Sequence, residues 1–246
     1  MIVCPRPLPS AAVRLFCFPY AGGGASCYRQ VLASLPGDFE LCGIELPGRQ
    51  ARLQDRHPTD FAMLVTEVDE AIRPWLDRPF AFFGHSMGGW MSYALACRLY
   101  EYREGPLPCA LIVSGCRAPS VPFRPPLLHL TDDAGLYQRL MANGIDELGM
   151  PTELFELIKP AIRGDLALLE TWSWPSLIRL SIPIHVFGGI DDKDVDFAAL
   201  DGWRAMTSEA FTLDRLPGRH FFIHENPVLF SQLLCRRVLQ IQTPSM

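Results

Sequence analysis

Short apolar runs alternate along this chain with longer stretches whose apolar residues recur every three and four positions. The runs Val13–Phe18, Phe39–Ile44, Phe80–Phe83, Cys109–Ser114, Ile182–Phe187 and Phe211–Leu216 are bounded by Pro, Gly or acidic residues. Their length and near-continuous apolar character predict strands covered on both faces, as in a parallel sheet. Helical spacing is expected over about 26–35, ending before Pro36-Gly37. It is expected again over 59–76, where Phe61, Leu64, Val65, Val68, Ile72 and Trp75 share one face. There Thr59 is read as the N-cap and Pro74 weakens the last turn. Further helices are expected from Ser86 to about Tyr100, over 197–206 and over 227–241. Residues 1–12 carry three prolines and read as an irregular lead-in. Strands alternating with helices predict a single α/β domain over residues 1–246.

One block departs from the alternation. From about 116 to 176 come Pro119, Pro122, Pro125 and Pro126, then helical pieces near 132–142, 151–159 and 160–172, closed by Trp172-Ser173-Trp174-Pro175. It is too long and too apolar for a simple crossover, and predicts a helical lid inserted into the sheet domain. Its leucines, Met141 and Met150 either form the core of that insertion or line a tunnel.

Composition narrows the function classes. The 246 residues are 49% hydrophobic and 20% charged, with net charge −5, which is globular and not disordered. The absence of a basic stripe argues against nucleic acid as a partner. No apolar run approaches the roughly 18 residues of a membrane span, and the N-terminus lacks the pattern of a secretory leader. The 8 cysteines are scattered without a C-x-x-C pair, so no metal site is expected. Cys17, Cys42 and Cys97 lie in apolar runs and read as buried thiols. These features together point to a reduced, cytoplasmic protein.

The chemistry centres on Phe80-Ala81-Phe82-Phe83-Gly84-His85-Ser86-Met87-Gly88-Gly89-Trp90. An apolar run enters Gly-x-Ser-x-Gly and a helical pattern leaves it. Glycines on both sides of Ser86 make room for a strained turn that lifts the hydroxyl clear of the strand tip. A serine hydroxyl needs a base, and the base needs an orienting acid. His220, in a Gly-x-His position after the last strand, is the candidate base, with His224 as the competitor. The acid is expected after the strand at 182–187, where Asp191, Asp192 and Asp194 cluster. A Gly-x-x-Asp spacing from Gly189 selects Asp192, with Asp191 as the alternative. Oxyanion donors are expected from the backbone N–H of Met87, at the helix start, and of Ala21 in the loop Tyr20-Ala21-Gly22-Gly23-Gly24. Those glycines lack the Gly-Lys-Ser/Thr or Gly-x-Gly-x-x-Gly context of a phosphate cradle. The order Ser, acid, His, each just past a strand end, is that of the α/β-hydrolases.

Phe18-Pro19-Tyr20-Ala21-Gly22-Gly23, Leu46-Pro47-Gly48-Arg49, Phe83-Gly84-His85-Ser86-Met87-Gly88-Gly89, Val186-Phe187-Gly188-Gly189-Ile190-Asp191-Asp192 and Gly218-Arg219-His220-Phe221-Phe222 stand together in this chain. The set resembles the type II thioesterases, the stand-alone editing hydrolases of nonribosomal peptide and polyketide assembly lines. The resemblance implies an α/β-hydrolase fold with a lid, and Ser86, Asp192 and His220 as nucleophile, acid and base. It implies hydrolysis of acyl or aminoacyl thioesters on the phosphopantetheine arm of a carrier protein, with no cofactor. Arg117 and Arg124, near the lid entrance, are candidates for docking the acidic carrier. Arg219 departs from the family, which usually places a second glycine there, and is expected to narrow or charge the mouth of the site. Nothing in the sequence demands more than a monomer. The competing readings are an esterase or lipase acting on free small-molecule esters, and an inactive hydrolase fold serving as an interaction partner.

Overall fold

A computed structural model describes residues 1–246 apart from 34, 36, 103–104, 124, 146–151 and 243–246. The expectations placed on Pro36, Arg124 and Met150 lie outside the described residues. Seven strands form one sheet: β1 (Ile2–Val3), β2 (Val13–Phe18), β3 (Phe39–Ile44), β4 (Phe80–His85), β5 (Leu111–Ser114), β6 (Ile184–Gly189) and β7 (Phe211–Leu216), in the order β1-β3-β2-β4-β5-β6-β7. All neighbours run parallel except β1, which pairs antiparallel with β3. The helices are α1 (Phe61–Ile72), α2 (Met87–Tyr102), α3 (Asp133–Ala142), α4 (Thr152–Thr171), α5 (Phe197–Asp201), α6 (Phe222–Glu225) and α7 (Pro227–Gln242).

The strand pattern sorts side chains by parity. On β4, Phe80 and Phe82 face one layer while Ala81 and Phe83 face the other, all fully buried. The first layer gathers Phe16, Phe18 and Ile44 with the apolar stripes of α1 and α2. Its rings meet edge to face, with Phe16–Phe80 at 5.9 Å and Phe18–Phe82 at 5.1 Å, a geometry favoured by the ring quadrupoles. The second layer packs Leu15, Ile112 and Phe187 against Phe230, Leu234 and Val238 of α7. Burying each such side chain stabilises the fold by roughly 1.5–3 kcal/mol. Helix α4 contributes Phe155 and Ile162 to the second layer and Leu168 and Leu169 to the first. It therefore lies across the edge of the sheet instead of along one face.

Several elements differ from expectation. Residues 2–3 form a strand that the proline-rich lead-in concealed. The stretch 25–33 is a chain of turns, not a helix. Tyr28 is drawn inward there, where its hydroxyl donates to the Phe18 carbonyl at 2.8 Å and accepts from the His85 amide at 3.1 Å. The N-cap of α1 is Asp60, whose carboxylate accepts from the Met63 amide at 2.8 Å, and not Thr59. Helix α4 is a single element through Pro160, not two pieces. Pro160 lies on the exposed face, where the carbonyl that the missing N–H leaves without its helical partner is costly only if kept from solvent.

Candidate active site

Ser86 lies between the last residue of β4 and the first of α2, with φ 53°. A non-glycine residue held there is strained, and such strain needs surrounding structure to maintain it. The glycines supply the room. A Cβ on Gly84 would lie 2.1 Å from the Gly88 carbonyl, and one on Gly88 would lie 2.0 Å from the Phe18 carbonyl oxygen. Helix α2 can press against the ends of β2 and β4 only because neither residue has a side chain. The Ser86 amide donates to the Ser114 carbonyl at 2.8 Å, which ties the turn to β5.

His220 follows β7 in a loop. Its Nδ1–H donates to Asp192 Oδ2 at 2.7 Å. The other oxygen, Asp192 Oδ1, accepts the amides of Asp194 at 2.8 Å and Val195 at 3.0 Å. Burial alone would raise the Asp192 carboxyl. The His220 charge, the bond from its ring and the two amides outweigh burial and hold it below the usual carboxylate value. Burial alone would lower His220, and the Asp192 carboxylate reverses this and raises it. Asp191 is exposed, and its amide donates to the Gly218 carbonyl at 2.9 Å. His224, the competing base, is pushed down to about 4 by burial.

Ser86 and His220 line one cavity of about 470 Å³ together with Tyr20, Ala21 and Met87. Trp90, Phe123, Leu140, Ile162 and Leu166 make its walls largely apolar. Met87 opens the 16-residue α2, so its amide sits at the positive end of a helix dipole. Ala21 sits in the loop after β2. The chain diverges to opposite sides of β2, toward β3 and β4. The cavity therefore opens where open parallel sheets place their ligands.

The expected Arg219 role is not what the geometry favours. Its Nε donates to Glu225 at 3.2 Å and its guanidinium to the Met141 carbonyl at 3.2 Å, so it braces the histidine loop against α3. Arg117 donates to the Pro122 and Asp194 carbonyls at 2.8 and 2.7 Å and lies over the Phe123 ring. It thus stiffens the cavity wall. Among the described residues, the group of His, Cys, Asp or Glu close enough to share a cation is Cys4, Glu40 and Cys42. There Glu40 is already paired with Arg14 at 2.6 Å and accepts the Leu8 amide at 2.9 Å.

Local sequence marks neither Asp165 nor His57 as a functional residue, and Arg49 stands out only within Leu46-Pro47-Gly48-Arg49. The three meet: Asp165 is fully buried, with Arg49 at 2.6 Å and His57 at 3.1 Å. The available signal was positional. Phe155, Ile158, Ile162, Asp165 and Leu169 recur at three and four, so a carboxylate stands on the apolar stripe of α4.

The sheet order, the turn at Ser86 and the His220–Asp192 pair define an α/β-hydrolase. Residues 13–236 match the thioesterase-domain family. The chain is 34% identical over 237 residues to the gramicidin S biosynthesis protein GrsT of Aneurinibacillus migulanus, covering 96% of this chain and 92% of that one. Among solved structures, the type II thioesterase BorB from the borrelidin biosynthetic cluster is 32% identical with TM-score 0.83, covering 100% and 97% of the two chains. The RedJ thioesterase of the prodiginine pathway in Streptomyces coelicolor is 31% identical with TM-score 0.84, covering 96% and 97%. The chain belongs to the thioesterase family, and its activity is thioester hydrolysis.

Proposed function

We propose that this thioesterase removes acyl and aminoacyl groups from the phosphopantetheine arms of carrier proteins in a nonribosomal peptide or polyketide synthase, an editing role that frees stalled or misprimed domains. It acts as a monomer in the cytoplasm and needs no cofactor. Residues 116–176 serve as the inserted lid over the site. The observation that carries the reading is Ser86 at positive φ on a strand tip, sharing a largely apolar cavity with a His220 already bonded to Asp192.

In this reading Ser86 Oγ attacks the thioester carbonyl while His220 Nε2 takes its proton. Asp192 holds the Nδ1–H tautomer and stabilises the imidazolium. The amides of Met87 and Ala21 receive the oxyanion; losing one such donor costs about 10²–10³ in rate. The thiolate then leaves with the proton from His220, and water, activated by the same imidazole, hydrolyses the acyl-enzyme. The carbonyl of a thioester is already activated, so an apolar pocket of modest selectivity suffices for varied acyl groups.

The experiment is a panel of acyl-loaded carrier proteins with mass spectrometry of the arm, run beside acyl-N-acetylcysteamine and p-nitrophenyl esters. The expected result is a kcat/KM far higher on the carrier-bound thioester. Equal rates on all three would overturn the editing role. Ser86→Ala is expected to abolish release.

A further inference from the structure

The loop after β2 is clamped from outside the sheet. The Tyr20 carbonyl accepts the Gly23 amide at 2.8 Å. A trans peptide is planar, so the Ala21 N–H, in the same unit as that carbonyl, faces the opposite way. The next unit is held by α4, because the Gly22 N–H donates to Asp165 Oδ2 at 2.8 Å. The Gly23 carbonyl accepts from Arg49 Nη1 at 3.2 Å. Arg49 and Asp165 are joined by a two-pronged pair, Nη1 to Oδ2 at 2.6 Å and Nη2 to Oδ1 at 2.9 Å. His57 closes the remaining side, with Nε2 3.1 Å from Asp165 Oδ1 and Nδ1 2.9 Å from the Pro58 carbonyl oxygen.

Helix and loop are also packed flush. Gly22 has φ +76°, and a Cβ there would lie 2.4 Å from Ile162 Cγ1. A Cβ on Gly164 would lie 2.4 Å from His57 Cε1. The turn of α4 from Ile162 to Asp165 therefore sits flush against Gly22 on one side and His57 on the other. A buried ion pair is a poor stabiliser beside a well-packed apolar pair of similar volume. A helix that needed only to pack here would carry leucine. What the carboxylate adds is an acceptor for the Gly22 amide and a fixed partner for Arg49, whose Nη1 also holds the Gly23 carbonyl.

We propose that Asp165, acting with Arg49, is the positioning residue of the oxyanion loop: it fixes the peptide after Ala21, and so the direction of the Ala21 N–H, from the cap helix. The inference rests on the reading of Ala21 as an oxyanion donor. It makes the seating of α4 and the assembly of the oxyanion hole one event.

The test uses Asp165→Ala, Asp165→Asn and Arg49→Lys in the intact protein, with Ser86→Ala as reference. Four quantities are measured: kcat and KM on an acyl-N-acetylcysteamine thioester, affinity for a trifluoromethyl ketone analogue whose serine adduct carries an oxyanion, and affinity for the corresponding unreactive thioether. Asp165→Ala is expected to lower kcat about 10- to 100-fold, a displaced donor being less damaging than an absent one, with KM within about threefold. Affinity for the ketone falls by the same factor while thioether binding holds. Asp165→Asn keeps an acceptor and loses less; Arg49→Lys loses the fork and follows Asp165→Ala. An unchanged kcat, or equal losses for ketone and thioether, would overturn the proposal. Should Asp165→Ala fail to fold, the ketone-to-thioether ratio of Asp165→Asn decides, and an unchanged ratio overturns it. Turnover by Ser86→Ala would instead sink the serine reading itself.

Discussion

As the proposed base, His220 would work at a pH that its neighbours set. Burial pulls the imidazole down, and the Asp192 carboxylate more than reverses this. The free enzyme needs the neutral base, so kcat/KM rises with pH through the His220 value. That limb is expected above the ordinary 6.5, measured as kcat/KM on a soluble thioester between pH 5 and 9. Asp192→Asn removes the raising cause and leaves burial, so the limb moves to lower pH. It also frees the wrong tautomer, and kcat falls by roughly 10³–10⁴. Asp191→Asn touches neither oxygen of the acid and keeps kcat within about twofold, as for a surface change. If the Asp191 variant proves the more damaging, the acid has been misassigned. The buried neighbour His85 moves the other way: burial first, then the charges of His220 and His224, hold it well below 6.5.

Elements set where these residues meet, and the turn at Ser86 is the tightest joint. Gly88→Ala would place a methyl 2.0 Å from the Phe18 carbonyl oxygen, a backbone atom that cannot swing aside. Helix α2 must then lift from β2. The expected result is destabilisation of about 1–3 kcal/mol, as for overpacking, with a loss of kcat beyond what reduced stability explains. Urea unfolding beside kinetics checks both, and a variant with normal kcat would show that the close approach is not needed. That turn was legible in the sequence because its requirements are local: two small residues, a strand before, a helix after. The pairing of Asp192 with His220 was legible because each follows a strand at the same sheet edge. What escaped depends on distant partners. Nothing near Tyr28 in sequence reveals that its hydroxyl bridges β2 and β4, so the helical spacing at 26–35 misled. Pro160 marked a break only if its missing N–H mattered, and exposure made that loss cheap. Asp165 finds Arg49 across 116 positions, a pairing that no local pattern encodes.

At the scale of the whole molecule, the segment between β5 and β6 is tied to the loop after β2, the loop of Asp192 and the loop of His220. Helix α4 holds the loop after β2 through Asp165. The end of α3 holds the other two. Arg139 and Asn143 both donate to the Asp194 carboxylate in the acid loop, and the Asn143 carbonyl accepts the Phe221 amide at 3.1 Å in the histidine loop. A flap hinged independently of the sheet would not be bonded at once to the loop that carries Asp192 and the loop that carries His220. The cap and the catalytic loops should therefore open as one unit. Asn143→Ala tests this, because it removes the side-chain bond and keeps the backbone one. Asn143 is buried, so losing the bond costs about 1–3 kcal/mol. Hydrogen exchange should quicken together in the last turn of α3, at 192–195 and at 219–222, with the sheet amides of β4 and β5 unchanged. Faster exchange confined to α3 would mean a cap that moves alone. In that case the acyl group could be enclosed and released without disturbing His220. Joint exchange means that each opening of the cap also loosens the base, so hydrolysis proceeds only while the acyl group is enclosed.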